Sequence, residues 1–232
     1  MTRPRLLDLF CGAGGCSVGY HRAGFEVVGV DLHPQPNYPY EFIQGDALSY
    51  LNVWLALRDR GFDDFDAIHA SPPCQAYSTL RHAAEHKRDS YPDLIPETRR
   101  LLQATGLPYV IENVPNAPMR RDYILCGSMF GLEVECRDGK RRQLRRHRWF
   151  ETNWPVGLQP ACDHQGQPVG VYGTGGGGQM TRGYKATLAE ARDAMGTPWM
   201  NRAEVSQAIP PRYCEFIGAA LMAHLNSSIP GL

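Results

Sequence analysis

The 232-residue sequence has no hydrophobic run long enough to span a bilayer and no excess charge of either sign. A membrane-spanning helix needs about 20 consecutive, predominantly apolar residues, so the sequence predicts no membrane segment. Lysine and arginine together number 24, and so do aspartate and glutamate. The overall charge therefore neither favours nor excludes a nucleic-acid partner, and the distribution of charge along the chain is more informative.

Paired cysteine motifs are also missing. The seven cysteines are an odd number at irregular spacing, which is unlike a disulfide framework. Residues 1–5 lead directly into a predicted strand without the apolar core of a signal peptide, so we expect a reducing cytoplasm. Cys126, Cys136, Cys162 and His164 can be drawn as a metal site, but they lack the C-x-x-C spacing typical of zinc. The sequence accordingly predicts no metal.

Positive charge is concentrated in one segment. Between positions 137 and 148, seven of twelve residues are Lys or Arg. Such a run indicates either a solvated basic face or a nucleic-acid contact, and the run alone does not distinguish them. Residues 135–143, which include the first part of this run, could supply DNA contacts or form a disordered, exposed loop.

Seven short apolar segments predict the strands of an α/β protein: 6–10, 26–30, 41–44, 65–70, 108–111, 123–126 and 147–151. Helical spacing occurs in five other segments: 18–23, 48–60, 96–105, 186–195 and 214–225. The alternation predicts a doubly wound, mostly parallel, seven-stranded sheet. Residues 154–184 are rich in Pro and Gly, which indicates loop or a poorly structured small subdomain.

Candidate functional groups follow five of these strands. A glycine-rich turn, residues 11–17, follows the first, where glycines admit a ligand closely and the helix start offers free amides. Asp31 ends the second strand about twenty residues later, where an acid commonly binds a ribose. Asp46, Cys74 and Glu112 follow three further strands. Because open α/β sheets bind ligands at this edge, the five positions predict one shared cleft.

Cys74 is the candidate nucleophile. Pro72 and Pro73 end its strand, prevent a helix from continuing and stiffen the chain just before the thiol. The alternative is that Cys74 is a small buried apolar residue, as free cysteines commonly are.

Five motifs occur in a fixed order along the chain: Asp8-Leu9-Phe10-Cys11-Gly12-Ala13-Gly14-Gly15, Pro72-Pro73-Cys74-Gln75, Glu112-Asn113-Val114, Arg146-His147-Arg148 and Ala208-Ile209-Pro210-Pro211. Together they resemble the motifs of the DNA cytosine-5 methyltransferases almost from end to end. The resemblance implies a Rossmann-like, class I fold, S-adenosylmethionine as cofactor and double-stranded DNA as partner. It also implies a cytoplasmic, nucleoid-associated enzyme of a bacterial cell or phage-infected host.

The resemblance further implies the role of each site residue. Cys74 would add to C6 of a flipped cytosine, so that C5 can accept a methyl group. Glu112, held protonated, would donate to N3, and Arg148, with Arg146 beside it, would hold the O2 edge. The implied cofactor residues are Phe10, Gly12, Gly14, Asp31 for the ribose, Asp46 for the adenine amino group, Pro73, Gln207 and Ala208. For each acid, capping of the following helix is the alternative.

The chain departs from the family pattern in one long region and at two single positions. Only residues 151–185 occupy the place of the target-recognition region, so recognition could be relaxed or supplied by an accessory chain. Leu144 replaces a glutamine, and Gln207 replaces an asparagine. We therefore predict a compact member with a core at 1–150, a reduced recognition segment at 151–185 and completing helices at 186–232.

Two alternatives to DNA methylation remain open. The same chemistry could act on RNA or use a modified sulfonium cofactor, which product mass analysis would reveal. The second alternative is a catalytically inactive DNA-binding homologue, although such a protein has no chemical need to keep Cys74, Glu112 and Arg148.

Overall fold

A computed structural model describes residues 2–60, 64–73, 92–155, 157–173, 178–180 and 183–227. Twelve strands lie in these ranges: β1 (Arg5–Leu9), β2 (Glu26–Asp31), β3 (Glu41–Gln44), β4 (Ala67–Ala70), β5 (Tyr109–Asn113), β6 (Tyr123–Leu125), β7 (Glu133–Glu135), β8 (Arg141–Gln143), β9 (Arg148–Thr152), β10 (Val169–Gly170), β11 (Gly178–Met180) and β12 (Gly183–Lys185). Six α-helices accompany them: α1 (Gly15–Arg22), α2 (Ala47–Leu57), α3 (Ile95–Thr105), α4 (Leu188–Met195), α5 (Arg202–Gln207) and α6 (Pro211–Ser227).

The central sheet has the strand order β3-β2-β1-β4-β5-β9-β6. Strands β1 to β5 run parallel, and β9 is antiparallel to both of its neighbours. The predicted mostly parallel, seven-stranded sheet is therefore confirmed, with each strand within two residues of its predicted bounds. The strand order reverses between β1 and β4, and a crevice forms at the carboxyl ends of the strands at such a point.

Helices cover both faces of this sheet, as a mostly parallel sheet requires. On one face, Leu6 and Val27 pack in a buried cluster with residues of α1 and α6. On the other face, Leu7 and Leu9 pack with residues of α2 and α3. Burying a leucine side chain stabilises a fold by about 1.5–3 kcal/mol, so the continuous apolar strands hold the crevice rigidly.

The helices differ from the prediction at several ends, and α1 and α6 each begin three residues earlier than predicted. Helix α2 ends at Leu57 and passes into a 3-10 turn, Arg58–Arg60, and the predicted stop at Gly61 lies outside the described residues. Helix α5 was not predicted, although Asn201 and Glu204 form a capping box at its start. Its six residues are too few to show a helical hydrophobic period.

The basic segment and the glycine-rich region are more ordered than predicted. Residues 135–143 are not a disordered loop, because β7 and β8 pair there as a hairpin. Arg142 is buried, pairs with Asp138 at 2.6 Å and lies 4.4 Å from the ring centre of Tyr184. The guanidinium therefore stabilises the hairpin and does not face solvent. Residues 154–184 contain a small sheet of order β10-β12-β11.

No helix in the described part of the chain combines the length and the apolar character that crossing a membrane requires.

Candidate active site at the strand ends

The turn after β1 has an unusual backbone. Phe10, Gly12 and Gly14 all have positive φ values, 59°, 50° and 83°. A Cβ added to Gly12 would meet no described atom within 4 Å, whereas one on Gly14 would lie 2.9 Å from Pro39 Cδ. Gly14 therefore permits local packing, and Gly12 exposes its backbone to open space at the crevice. This open, glycine-lined cradle fits the approach of a nucleotide-like ligand.

Asp31 lies directly beside this turn. Its Oδ2 accepts a hydrogen bond of 3.0 Å from the Gly12 amide, and its Oδ1 accepts one of 3.0 Å from the His33 amide. The structure thus brings the predicted ribose acid and the glycine turn together. Asp31 also shapes the turn, a second role that the spacing alone did not reveal.

The predicted closing segment packs against the same turn. The Ile209 carbonyl oxygen lies 2.3 Å from the position of a Cβ added to Gly15, so a side chain at this position would collide with the backbone. Trp199 donates from Nε1 to the Ala13 carbonyl oxygen at 2.8 Å. Sequence reasoning missed Trp199, because no motif marks it. Gln207 is exposed at the end of α5, and Ala208 follows it as the C-cap.

Asp46 has the capping role that was the alternative prediction. It is the N-cap of α2, and its Oδ1 accepts from the Ser49 amide at 2.8 Å. Its contact with an adenine amino group stays a prediction.

Glu112 and Arg148 form a buried pair in the crevice. Arg148 Nε lies 3.1 Å from Glu112 Oε1, and the side chains are only 12% and 5% exposed. Among the described residues, however, no group hydrogen-bonds Oε1. Burial raises the pKa of Glu112, and Arg148, the Ser71 hydroxyl and Arg146 oppose that rise. The site therefore holds a buried carboxyl that is paired with Arg148 through Oε1 and has an increased tendency to be protonated.

Arg146 is held by backbone groups of α5 and of the segment that follows β10. It donates to the Val171 carbonyl oxygen at 2.8 Å and to the Ser206 carbonyl oxygen at 2.6 Å. These bonds fix the start of β9 relative to α5 and the segment after β10. The predicted place of Arg146 beside Arg148, at the O2 edge of the cytosine, stays a prediction.

A buried polar chain that was not predicted supports Glu112. The Tyr20 hydroxyl lies 2.9 Å from His69 Nδ1, and His69 Nε2 lies 2.9 Å from the Ser71 hydroxyl. Burial lowers the pKa of His69 to about 3, so the imidazole is neutral at physiological pH. Ser71 in turn interacts with Glu112. The signal in the sequence was a histidine inside an otherwise apolar strand.

The acid motif also contacts the segment that precedes the predicted nucleophile. Asn113 donates from Nδ2 to the Pro72 carbonyl oxygen at 2.9 Å, and both residues are buried. Pro73, the next residue, is exposed, and Cys74 lies outside the described residues. Glu112 therefore belongs to a strand that is hydrogen-bonded to the approach to Cys74.

Comparison with known proteins identifies the family. The family model described as C-5 cytosine-specific DNA methylase matches residues 4–123, about half of the chain. The chain belongs to this family. The matched residues include the glycine turn, the Pro72-Pro73-Cys74 segment and Glu112, whereas Arg146, Arg148 and the closing segment lie beyond them.

Curated relatives of this family match shorter regions. The type II methyltransferase M.XorII of Xanthomonas oryzae pv. oryzae is 32% identical over an alignment of 130 residues that covers 49% of this chain and 29% of that protein. The type II methyltransferase M.AgeI of Thalassovita gelatinovora is 31% identical over an alignment of 84 residues that covers 32% of this chain and 20% of that protein. The chain thus spans less than a third of the length of these relatives.

Solved structures share the fold over nearly the whole chain. An E. coli prophage protein described as a DNA modification methyltransferase has a TM-score of 0.60 at 16% identity, covering 96% of this chain and 99% of that one. The S. pombe Dnmt2 methyltransferase has a TM-score of 0.58 at 13% identity, covering 97% and 100%. Both structures match nearly the whole chain, which has the class I methyltransferase fold.

Proposed function

We propose that this protein methylates carbon 5 of cytosine in DNA with S-adenosylmethionine. The observation that carries the proposal is Glu112 at the strand-end crevice: its carboxyl is buried, its pKa is raised, and its Oε1 accepts no hydrogen bond from a described group. The adjoining Asn113 binds the segment leading to Cys74. Family membership supports this assignment.

The chain's residues account for the difficult part of the chemistry. Cytosine C5 is a weak nucleophile, so the Cys74 thiolate first forms a bond to C6. Protonated Glu112 donates to N3 and neutralises the charge that the addition creates, while Arg148 holds the O2 edge. The electron pair then available at C5 would form a bond to the methyl carbon of the donor, whose bond to the sulfonium sulfur would break. Loss of the C5 proton to a base restores the C5–C6 double bond and expels the Cys74 thiolate, and N3 returns its proton to Glu112.

The glycine cradle is where the cofactor would be held. Phe10, Gly12 and Gly14 would line it, Asp31 would bind the ribose, and Asp46, Pro73, Gln207 and Ala208 would complete the pocket. When bound there, S-adenosylmethionine supplies an electrophilic methyl group. The open space above Gly12, next to the Asp31 carboxylate, supports this placement.

The nucleic-acid substrate is proposed to be double-stranded DNA with the target base flipped out of the helix. A cytosine inside a duplex cannot reach a crevice at a sheet edge without leaving the base stack. Residues 151–185 would make a small recognition region, to which an accessory chain could add contacts. We propose a cytoplasmic site of action.

Bisulfite sequencing of DNA from cells that express the protein tests reaction type and target sequence together. We expect 5-methylcytosine in a defined context with the wild type and with Cys136→Ser, and none with Cys74→Ser. Purified protein should also form a covalent adduct with DNA that contains 5-fluorocytosine, because fluorine blocks the final elimination.

Nucleoside mass analysis separates the alternatives. DNA, RNA and a modified sulfonium donor are offered to the purified protein in parallel reactions. Modification of RNA alone, or transfer only of a different group, would replace the proposed function. Cofactor binding without modification of any substrate would indicate an inactive homologue.

A further inference from the structure

Four metal-binding side chains converge on the side of the molecule where β6 and β9 pair. They are Cys126, His147, Cys162 and His164, and their donor atoms all lie within 4.8 Å of one another. The sequence suggested a different set, with Cys136 in place of His147. Cys136 is buried with Val134 and Leu144 in a separate apolar cluster.

Strand pairing explains why His147 joins the cluster. Leu125 pairs with Arg148 in the antiparallel β6–β9 ladder. Cys126 follows β6 and His147 precedes β9, so the two side chains lie opposite each other one step beyond the ladder. The remaining ligands, Cys162 and His164, come from the following segment.

The donor atoms meet around a common point. Cys162 Sγ lies 2.8 Å from His164 Nε2 and 3.6 Å from His147 Nε2, and Cys126 Sγ lies 3.3 Å from His164 Nε2. A tetrahedral zinc ion with bonds of about 2.3 Å to sulfur and 2.0–2.1 Å to nitrogen separates such atoms by about 3.6 Å. Small side-chain rotations are therefore sufficient to seat the ion.

The surroundings suit thiolate ligands. Ser128 Oγ lies 3.4 Å from both Cys126 Sγ and Cys162 Sγ, so one hydroxyl stands between the two sulfurs and can donate to either. Outer hydrogen bonds of this kind orient metal ligands. Two thiolates and two neutral imidazoles balance the charge of a divalent ion.

The other cysteine–histidine group in the described residues is different. Cys16, His69 and Cys214 are also close together and fully buried. Both ring nitrogens of His69, however, already contact the Tyr20 and Ser71 hydroxyls at 2.9 Å. That histidine has no nitrogen left for a metal, and the group offers only three donors.

The segment that supplies Cys162 and His164 is otherwise held by polar contacts, among them hydrogen bonds from the Ile124 amide to Gln159 and from the Gln165 amide to Gln143. Residues 157–168 contain no strand or helix, and every residue from 157 to 167 is exposed. Leu158, the one large apolar side chain among them, is 99% exposed. A segment without an apolar anchor gains little from folding, and a metal crosslink offsets the entropy of ordering it.

We propose that Cys126, His147, Cys162 and His164 bind one structural zinc ion that fixes residues 157–168 to the ends of β6 and β9. All four positions are taken by protein ligands, which is typical of structural rather than catalytic zinc. The site lies beside the proposed active site, because His147 stands between Arg146 and Arg148.

Metal analysis of untagged, full-length protein purified without chelator tests the proposal. We expect about one zinc ion per chain, as a four-ligand site predicts. Cys162→Ser and His164→Ala should each lose most of this zinc. Cys136→Ser and His33→Ala are the matched controls, since Cys136 lies outside the cluster and His33 is exposed elsewhere, and both should keep it.

Cobalt replacement tests the geometry independently of activity. Co²⁺ in the wild type should give the intense visible absorption of a tetrahedral site and a sulfur-to-metal charge-transfer band. His164→Cys, which keeps four ligands, should still bind metal and should strengthen the charge-transfer band. It provides the test if the variants that remove a ligand do not fold.

Hydrogen exchange locates the effect of the metal. Chelation should increase amide exchange in residues 157–168 and near 146–148, and leave β1 and β2 unchanged.

Several outcomes would overturn the proposal. They are wild-type protein that binds neither zinc nor cobalt, an octahedral cobalt spectrum, loss of zinc from Cys136→Ser but not from Cys162→Ser, and a disulfide between Cys126 and Cys162 in the purified protein.

Discussion

Glu112 combines burial with a cationic neighbour, and these two effects act on its pKa in opposite directions. Burial is the larger effect and raises the pKa, while the Arg148 guanidinium at 3.1 Å lowers it. A carboxyl in this balance can be protonated before the reaction yet carry charge next to Arg148 afterwards. That behaviour suits proton donation to a ring nitrogen.

Replacement of Glu112 tests this role. Glu112→Gln keeps the shape and a hydrogen-bond donor but cannot transfer a proton, so we expect methyl transfer to slow on the order of 10²-fold or more. Binding of S-adenosylmethionine, measured by calorimetry, should change little. The matched control is Glu97→Gln, a partly exposed residue of α3. Equal losses in single-turnover rate and cofactor binding would instead indicate a structural role.

At the scale of elements, a buried ion pair joins α3 to β9. Glu151 is fully buried and accepts two bonds from Arg99, at 2.7 and 2.8 Å, and one from the Arg120 amide at 3.0 Å. These hydrogen bonds lower the pKa of Glu151 in spite of its burial. The pair fixes the helix to the strand that carries Arg148.

Removing the cation should expose the cost of burying this carboxylate. We expect Arg99→Leu to destabilise the protein by roughly 3 kcal/mol or more in urea denaturation near neutral pH. Because the pKa of Glu151 is lowered in the folded state, its stabilisation is lost as the pH falls through that pKa. The difference in the free energy of unfolding between Arg99→Leu and wild type should therefore be smaller at acidic pH. Arg100→Leu, which breaks an exposed pair in the same helix, should have little effect, and equal effects of the two variants would contradict this account.

Helix α1 packs so closely on the closing segment that only glycine fits at their contact. We expect Gly15→Ala to destabilise the fold by about 1–3 kcal/mol, because the added methyl group meets the Ile209 carbonyl oxygen. Gly45→Ala is the control, since a Cβ there meets no described atom within 4 Å. Urea denaturation of both variants provides the measurement. An unchanged midpoint for Gly15→Ala would show that the backbone at Ile209 moves to make room for the methyl group.

At the scale of the whole molecule, stability depends on a buried group, Asp8, whose pKa is near neutrality. Asp8 is fully buried under the crevice and accepts a hydrogen bond from Ser17, and burial raises its pKa from 3.8 to about 7. The folded state therefore takes up a proton between these values. The stabilisation that this proton gives the folded state is complete below the pKa of Asp8 in the unfolded chain. It is lost as the pH rises to about 7, the pKa in the folded state. His69, whose pKa is lowered, acts in the opposite direction at acidic pH.

Comparison with Asp8→Asn isolates this effect. The stability of wild type relative to the variant should fall between about pH 4 and pH 7, by on the order of 4 kcal/mol at 1.4 kcal/mol per pKa unit, and then level off. Thermal unfolding across this range is the measurement. Asp64→Asn, at an exposed position, should show the same pH dependence of stability as wild type. A stability difference between wild type and Asp8→Asn that does not change with pH would contradict the raised pKa.

The sequence by itself determined the seven strands of the main sheet and placed the candidate site residues at their ends. Apolar runs bounded by glycine, proline and acids encode buried parallel strands locally, and the carboxyl ends of such strands meet at one edge. For that reason the glycine turn, Asp31 and Glu112 could be predicted to share a crevice before any contact was known. The family could also be inferred from the sequence, because each of the five motifs is a short contiguous segment.

Only the tertiary structure decided which partner each polar side chain takes. Arg142 is buried against Asp138 and Tyr184, Arg146 binds two distant carbonyl groups, and His69 connects Tyr20 to Ser71. His147 rather than Cys136 joins Cys126 because of the antiparallel register of β6 and β9. Apart from Arg142–Asp138 and His69–Ser71, these pairings join residues far apart in the chain, and local composition and periodicity carry no information about register between distant strands.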